Sequence, residues 1–340
     1  MLEKPEVYTL PSSPKKKRAR KTPGKVFHFD ALLMLLPLCV IAVYYYGIGA
    51  LTRILVCMAA GVVCEAAGAW IMRCPRDISD CSALFIGAAT ALMLPADIPY
   101  YIALSGTAFA IVVVKLPLGG TESVPFVPTA AGFAFMTLCW PDRVFRYPAT
   151  GTGAEYVQGV SLAGMLHSGT SIRPNMVNIF DIRTGNFPGP MGASCVLVLA
   201  AGMIYLAVRY RRAIINTLAF LLGAALMAML FPRIYAGNVR LTSLLMELCS
   251  GFIMFAAVFF VTDPAISPRK PGHRFLYGFF SGVVCMLLRY FSNFEDSVCF
   301  GILIADAVWP AVEIRLMRRE KKRRRARKAK EAAKEGAENA

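Results

Sequence analysis

Charged residues interrupt a few stretches of the chain that are otherwise apolar, namely Glu65, Asp80, Lys115, Asp263 and Asp306. A charged side chain at membrane depth is costly, and such residues mark ion pathways and proton relays more often than charged residues elsewhere. Asp263 follows a long uncharged stretch, and the proline after it frees backbone groups that could line a polar cavity. The competing interpretation of each residue is a helix cap or a structural ion pair. The candidates for an ion pathway are Asp263, Thr262, Glu65 and Asp306.

The elements that must position these residues follow from the composition. Of 340 residues, 56% are hydrophobic and only 17% are charged, and the mean hydropathy is +0.53. This composition excludes a water-soluble globule. A membrane helix needs about 20 apolar residues, and the sequence predicts an all-α polytopic membrane protein with about ten transmembrane helices, at 31–50, 54–72, 81–96, 98–114, 123–141, 191–208, 213–231, 241–261, 275–288 and 297–312.

The net charge of +16 is concentrated at the two ends. Residues 1–29 hold eight Lys and Arg against two Glu, and residues 315–340 hold twelve against four. Because basic residues beside spans resist translocation, both termini are predicted to be cytoplasmic and the polar segment 142–190 to lie outside. We expect the basic tails to bind anionic lipid. We expect no nucleic-acid partner, although binding through the tails is a distant alternative.

The predicted organisation has two membrane halves between polar segments. These are a basic N-terminal tail (1–29), a first five-helix half (30–141), an extracytoplasmic loop (142–190), a second five-helix half (191–313) and a basic C-terminal tail (314–340). Each half contains a helix-breaking turn, at 124–130 and at 261–265. Internal repeats with discontinuous helices commonly frame a ligand or ion site. Ordinary proline kinks explain the two turns equally well.

Motifs of self-contained enzymes are missing from the sequence. The ten cysteines include no C-x-x-C pair and only three histidines occur, so we predict no zinc or four-thiolate iron–sulfur site. The chain has no Walker-type phosphate loop, no H-E-x-x-H and no G-x-S-x-G. A complete hydrolase or ATPase is therefore not expected.

Several motifs together resemble one family of membrane subunits. The most specific is the T-D-P-x-x-S-P run within 259–268. Further matching segments are 80–84, 94–95, 119–120, 125–128, 185–192, 277–278, 288–289 and 298–303. Over residues 30–313 the chain is similar to the D subunit of the Rnf electron-transport complex and, less closely, to the B subunit of the sodium-translocating NADH:quinone oxidoreductase.

This resemblance implies a prokaryotic cell-membrane subunit of a complex that couples electron transfer between ferredoxin and NAD to movement of sodium ions or protons. Its partners would be the other subunits of that complex. It also implies FMN esterified through its phosphate to a hydroxyl residue of an S-G-A-T motif in the outside loop. The matching positions are Ser168, Gly169, Thr170 and Ser171, with Ser171 at the acceptor position. A second, non-covalent flavin is also expected, and Lys115, Gly119 and Gly120 are further cofactor-binding candidates.

The sequence departs from the family pattern at several of these positions. The alanine of the motif is Thr170 and its acceptor threonine is Ser171, while Met165 replaces an acidic residue and Ala193 replaces a glutamate. The alternative hypothesis is a divergent, flavin-free paralogue that acts as a small-solute or vitamin transporter or as an assembly subunit. The family assignment itself rests on the longer motifs.

Overall fold

The computed structural model describes residues 23–72, 81–121, 124–150, 158–168, 179–233 and 239–338. Within them the first half of the chain forms five apolar helical segments. The fourth continues as a π-helical segment, Phe109–Lys115, which delivers Lys115 to the end of the helix. The helices are α1 (Pro23–Tyr46), α2 (Ile48–Ile71), α3 (Ser82–Leu92), α4 (Tyr100–Ala108) and α5 (Pro128–Cys139).

The connection between the halves contains only short elements in its described parts. A two-stranded antiparallel pair, β1 with β2, joins Tyr147 to Gly159 and Pro148 to Gln158. The elements are α6 (Pro141–Val144), β1 (Tyr147–Pro148), β2 (Gln158–Gly159), α7 (Leu162–His167) and α8 (Ile179–Thr184).

The second half forms five further helical segments, of which the third is interrupted. A turn at Gly251, whose φ of +61° suits glycine, separates α11 from α12. A second π-helical segment, Ala256–Phe260, continues α12. The helices are α9 (Val196–Arg209), α10 (Ile214–Leu230), α11 (Val239–Cys249), α12 (Ile253–Phe255), α13 (Pro271–Phe291) and α14 (Val298–Glu338).

Each of the ten predicted spans overlaps one of these helical segments, and the all-α polytopic class is confirmed. By length and apolarity, three described helices are long enough to cross a bilayer unaided, namely Val26–Tyr46, Ile48–Ile71 and Pro271–Phe291. Five shorter apolar helices accompany them. α1 begins at Pro23, earlier than the predicted first span, so His28 and Asp30 are helical. α14 contains the tenth span and continues beyond it without interruption, and the whole helix has 41 residues.

Glycines bring the helix pairs of the core into direct backbone contact. A Cβ on Gly87 of α3 would lie 2.5 Å from the carbonyl oxygen of Cys57 on α2. A Cβ on Gly223 of α10 would lie 2.5 Å from the carbonyl oxygen of Phe279 on α13. Small residues at such crossings are typical of membrane bundles, where close packing replaces the hydrophobic effect as the driving force for association.

The two ends of α1 contact different parts of the chain, and they define two ends of the molecule. We call the end that holds the start of α1 the tail side and the end that holds α7 and α8 the loop side. On the tail side, Asp30 of α1 accepts hydrogen bonds from Arg209 and Tyr210 at the end of α9. On the loop side, Tyr46 at the end of α1 donates to the carbonyl oxygen of Gly189.

Candidate functional site

A buried ion pair lies on the tail side, where the π-helical end of α4 meets α2. The Lys115 ammonium group, 1% exposed, forms a salt bridge with Glu65. It also donates to the Ser82 hydroxyl at 2.6 Å. Glu65 is itself buried, so neither charge reaches water. Such a pair persists only because each partner compensates the desolvation of the other.

A small enclosed cavity adjoins this ion pair. Its volume is about 20 Å³, enough for one water molecule or one unhydrated ion. The hydroxyl oxygen of Thr129 is buried without a hydrogen-bond partner among the described residues. The polar residues that line the cavity are His28, Ser82, Lys115, Thr121, Thr129 and Asp263.

Asp263 enters the cavity from the second half of the chain. The backbone N–H of Ala265 donates to Asp263 Oδ1 at 2.9 Å. The second oxygen, Oδ2, lies 4.0 Å from His28 Nε2. The neighbouring Thr262 hydroxyl donates to the carbonyl oxygen of Val258 at 2.5 Å, which caps the end of the π-helical segment.

Asp306 lies behind the cavity wall. It accepts a hydrogen bond from the Tyr277 hydroxyl at 2.7 Å and from the backbone N–H of Val127 at 3.3 Å. Val127 lines the cavity directly before α5 begins at Pro128. The four ion-pathway candidates thus lie around one site together with Lys115. Asp80, also a charged residue of the spans, lies outside the described residues.

Sequence reasoning missed four polar residues of this site, namely His28, Ser82, Thr121 and Thr129. His28 lies within the segment assigned to the basic tail, and Ser82 and Thr129 are the first and second residues of their helices. The position of Thr129 could have identified it, because it falls within the first predicted helix-breaking turn. A helix that begins inside the protein must satisfy its first N–H groups locally, and polar side chains collect there.

The two groups of predicted flavin-binding residues lie at opposite ends of the protein. Lys115 lies on the tail side, and Gly119 and Gly120 form the turn that ends its helix, with φ of +118° and +74°. Ser168 lies on the loop side, directly after α7, and its hydroxyl donates to the carbonyl oxygen of Met165 at 3.1 Å. Gly169, Thr170 and Ser171 lie outside the described residues.

A larger open pocket of about 510 Å³ on the loop side is lined in part by His167, the residue before Ser168. The rings of Phe145 and Phe294 line it, with centroids 6.4 Å apart and planes inclined at 31°. Its polar members are Asp142, His167, Asn293 and Glu295. Pockets with aromatic walls and a few polar groups suit planar heteroaromatic ligands.

Glu295 also holds the short helix that precedes Ser168. Ser161 caps α7 by accepting the N–H of Gly164 at 2.9 Å, and its own hydroxyl donates to Glu295. Burial raises the pKa of Glu295 from 4.5 to about 7, against the opposing effect of the Ser161 hydrogen bond. The neighbouring Asp296 contributes to the rise, whereas Arg289 opposes it. The carboxyl group of Glu295 therefore titrates near neutral pH.

A second buried cation lies on the loop side. Arg289, at the end of α13, is 0% exposed. Its Nη1 donates to the carbonyl oxygens of Glu247 and Ser250, both at 3.2 Å, and Nη2 donates to the Ser250 hydroxyl. Its Nε lies 3.5 Å from the buried Glu247 carboxylate. Both Nη atoms are thus hydrogen-bonded to a single helix end, and Nε faces the Glu247 carboxylate of the same helix without a hydrogen bond among the described residues.

Known proteins are similar in sequence to this chain over most of its length. The chain is 26% identical over 311 residues to the D subunit of the Na(+)-translocating ferredoxin:NAD(+) oxidoreductase complex of Acetobacterium woodii, an alignment covering 90% of this chain and 92% of that protein. It is 27% identical over 314 residues to the D subunit of the ion-translocating oxidoreductase complex of Stutzerimonas stutzeri, covering 83% and 87%. The corresponding protein of Actinobacillus succinogenes is 25% identical over 317 residues, covering 82% and 88%.

A model of the NQR2, RnfD, RnfE family matches residues 10–322. This range includes every helix of the membrane core, both cation sites and the whole loop between the halves. The resemblance inferred from the T-D-P-x-x-S-P run and its accompanying motifs is confirmed. The chain belongs to the NQR2, RnfD, RnfE family.

Proposed function

We propose that this chain is the D-type membrane subunit of an Rnf-type complex, which couples electron transfer between ferredoxin and NAD to ion movement. The observation that carries the proposal is the family match over residues 10–322, together with relatives whose names specify such a subunit. The chain is a subunit and not a complete enzyme, so its partners are the other subunits of the complex. The basic surface of α14 suits contact with those subunits or with anionic lipid.

The loop side is the proposed position of the flavin. FMN would be esterified at Ser171 or Thr170, with its ring in the open pocket lined by Phe145 and Phe294. The aromatic walls of that pocket and its polar edge fit such a ring. When bound, FMN supplies one- and two-electron redox chemistry. The protein's own part is to orient the segment, because the Ser161 cap and Glu295 hold α7 directly before it.

The tail-side cavity is the proposed station for the transported ion. The Asp263 carboxylate and the Ser82 and Thr129 hydroxyls offer the oxygen ligands that hard cations prefer. The unpartnered Thr129 hydroxyl is an acceptor that a bound cation or water would satisfy. Lys115 balances the charge of Glu65, so Asp263 is the carboxylate left to respond to the ion.

A covalent-flavin assay tests the redox half of this proposal. The chain is expressed with a flavin transferase, denatured, separated by electrophoresis and examined for in-gel fluorescence. We expect fluorescence from the wild type, its loss in Ser171→Ala or in Thr170→Ala, and its retention in Ser168→Ala. A wild type that never fluoresces under these conditions refutes the flavin assignment.

A second function follows if the departures from the acceptor motif are decisive. The helix interruptions after α3, before α5, before α12 and after Phe260 also suit a carrier of small solutes. A flavin-free paralogue would then act as a transporter or as an assembly subunit. Uptake of a labelled solute by vesicles containing this chain alone would favour that function.

A further inference from the structure

A groove on the tail side, separate from the cavity, carries an unusual concentration of positive charge. It lies where α10 and α13 begin, and its volume is about 350 Å³. Four of its lining residues are cationic. The lining consists of Arg212, Ile215, Arg269, Lys270, Pro271 and Arg274.

Most of this charge has no counterpart within the part of the chain that the structure describes. Lys270 forms a salt bridge with Glu320 of α14. Arg274 Nε donates to the carbonyl oxygen of Pro268 at 2.5 Å, a neutral partner. No described carboxylate lies within 4.0 Å of the guanidinium nitrogens of Arg212, Arg269 or Arg274. Cations held together in one groove repel each other, so a bound anion stabilises the arrangement.

The backbone of α13 adds donors to the same groove. Lys270 precedes the helix and provides no side-chain cap, and Pro271 has no N–H, so the N–H groups of Gly272 and His273 are the ones that remain available. At Gly272, the space that a Cβ would occupy has no atom within 4 Å, so a ligand can approach the backbone closely. Helix N-termini of this kind bind phosphate groups, and the guanidinium groups beside it provide bidentate donors.

The surface beside the groove is apolar and faces outward from the bundle. Leu218 is 55% exposed, Leu222 is 52% exposed and Phe275 is 48% exposed. In a membrane protein such side chains contact acyl chains. A phosphate bound in the groove would therefore lie at the headgroup level, directly above a surface suited to the rest of a lipid molecule.

We propose that this groove binds the phosphate headgroup of an anionic membrane lipid whose acyl chains lie along Leu218, Leu222 and Phe275. None of the residues that line the groove belongs to either basic tail, although Lys270 pairs with Glu320 of the C-terminal tail. It depends on the membrane class of the protein and on neither the flavin nor the ion pathway. The continuity between the basic groove and the apolar surface favours a lipid over a free phosphate ion.

The test measures lipid binding to the full-length chain in detergent by native mass spectrometry and thermal shift. The probes are cardiolipin, phosphatidylglycerol, phosphatidylcholine and inorganic phosphate. The variant is Arg212→Gln/Arg269→Gln, because neither side chain has a partner among the described residues and its loss should spare the fold. The matched control is Arg211→Gln/Arg318→Gln, which removes two exposed charges outside the groove.

We expect the anionic lipids to bind and stabilise the wild type. Removal of two headgroup contacts should weaken their binding about 30-fold in the groove variant, and by less than about 3-fold in the control. Equal weakening in both double variants, or stabilisation by inorganic phosphate that matches that by the lipids, would refute a lipid site. If the groove variant unfolds without lipid, single Arg212→Gln is compared with Arg211→Gln in the same measurement, and equal binding by the two would again refute the site.

Discussion

Lys115 and Arg289, the two buried Lys and Arg side chains among the described residues, occupy comparable places and have different surroundings. Lys115 ends the fourth helical segment of the first half and donates to Ser82, which follows Cys81. Arg289 ends the fourth segment of the second half and donates to Ser250, which follows Cys249. The Lys115 site adjoins a polar cavity, whereas all three guanidinium nitrogens of Arg289 are directed at one helix end.

The difference follows from the chemistry of the two side chains. An ammonium group is a compact charge on a flexible stem, and it can follow small changes in the positions of its partners. A guanidinium group is a rigid planar fork that fixes several acceptors at once. The tail-side ion pair can therefore adjust to small changes beside it, whereas the loop-side guanidinium group holds two helices in place.

The sharpest way to separate the two sites is to neutralise one carboxylate in each. In the assembled complex, Asp263→Asn should lower ion movement more than about tenfold, because the cavity loses the carboxylate charge that lines it. Asp296→Asn is the matched change, since Asp296 holds the backbone N–H groups of Phe252 and Val298 at 2.7 and 3.1 Å. It should lower stability while the ratio of ions moved to electrons transferred is kept. Ion flux and NADH formation are measured in proteoliposomes, and an equal loss of coupling in both variants would contradict the distinction.

Removal of the loop-side cation should produce the largest loss of stability. Arg289→Met leaves the buried Glu247 carboxylate paired only with Arg233, whose Nε lies 3.7 Å from Oε1, and removes the donors of two buried carbonyl oxygens, which together cost about 3–5 kcal/mol. The double variant Arg289→Met/Glu247→Gln should stay destabilised by about 1–3 kcal/mol, because the carbonyl oxygens of Glu247 and Ser250 lose their donors. The free energy of unfolding in detergent checks both values, with exposed Arg318→Met as control. Full recovery in the double variant would show that the guanidinium fork has no structural part.

The tail-side pair should behave differently in the same measurement. Lys115→Met alone is expected to cost about 3 kcal/mol, since Glu65 remains buried as an unpaired charge. Lys115→Met/Glu65→Gln should return to within about 1 kcal/mol of the wild type, because few other groups depend on the ammonium. A double variant as unstable as the single one would place Lys115 in the same structural class as Arg289.

Glu295 makes the stability of the loop side depend on pH. Its pKa rises from 4.5 to about 7 on folding, so the folded state favours the protonated carboxyl. The resulting stabilisation is complete below pH 4.5 and is lost as the pH rises to 7, by at most about 3 kcal/mol. Glu295→Gln should therefore match the wild type near pH 4.5 and exceed it at about pH 8. Thermal unfolding across this range tests the expectation against Asp142→Asn, and identical pH profiles for wild type and Glu295→Gln would overturn it.

The smallest expected effect concerns the left-handed residues of the two sites. The loop side uses Gly251 at φ +61°, whereas the tail side places Cys81 at φ +50°. A left-handed conformation costs a non-glycine residue about 1–2 kcal/mol, so Cys81→Gly should stabilise the protein by about 1 kcal/mol. Gly251→Ala should destabilise it, because the new Cβ would lie 1.8 Å from Asp296 Oδ2. Opposite signs in the unfolding free energies of the two variants are the outcome that supports this assignment.

Much of the membrane architecture could be predicted because hydropathy alone requires it. Backbone groups in a bilayer must be satisfied internally, so a long apolar stretch such as 54–72 forms a helix, here α2. The interruptions near Pro125 and Asp263 were also visible, since proline removes a donor and prevents continuation of the helix. The π-helical segments were not predicted, because a change in helical pitch leaves no mark in hydropathy.

The grouping of the polar residues could be predicted only in part. The free-energy cost of a charge at membrane depth singled out Glu65, Asp263 and Asp306. Their proximity could not be predicted, because it depends on contacts between residues that are far apart in the chain. The hydrogen bond between Ser161 and Glu295 could not be predicted either, because no local sequence pattern links two residues so far apart in the chain. The equivalent positions of Ser82 and Ser250 could not be recognised from the sequence. Each accepts a hydrogen bond from a buried cation, but one cation is Lys115 and the other is Arg289.

Pro310 weakens α14 at a single turn. It has no N–H, so the carbonyl oxygen of Asp306 loses its donor within the helix, at the residue whose side chain supports the cavity wall. Beyond that point the helix continues as a basic rod, and the whole element is about 60 Å long. A helix weakened at one turn bends there first. Force applied by a docked subunit to the far end would therefore be concentrated at Asp306, which would link assembly mechanically to the proposed ion site.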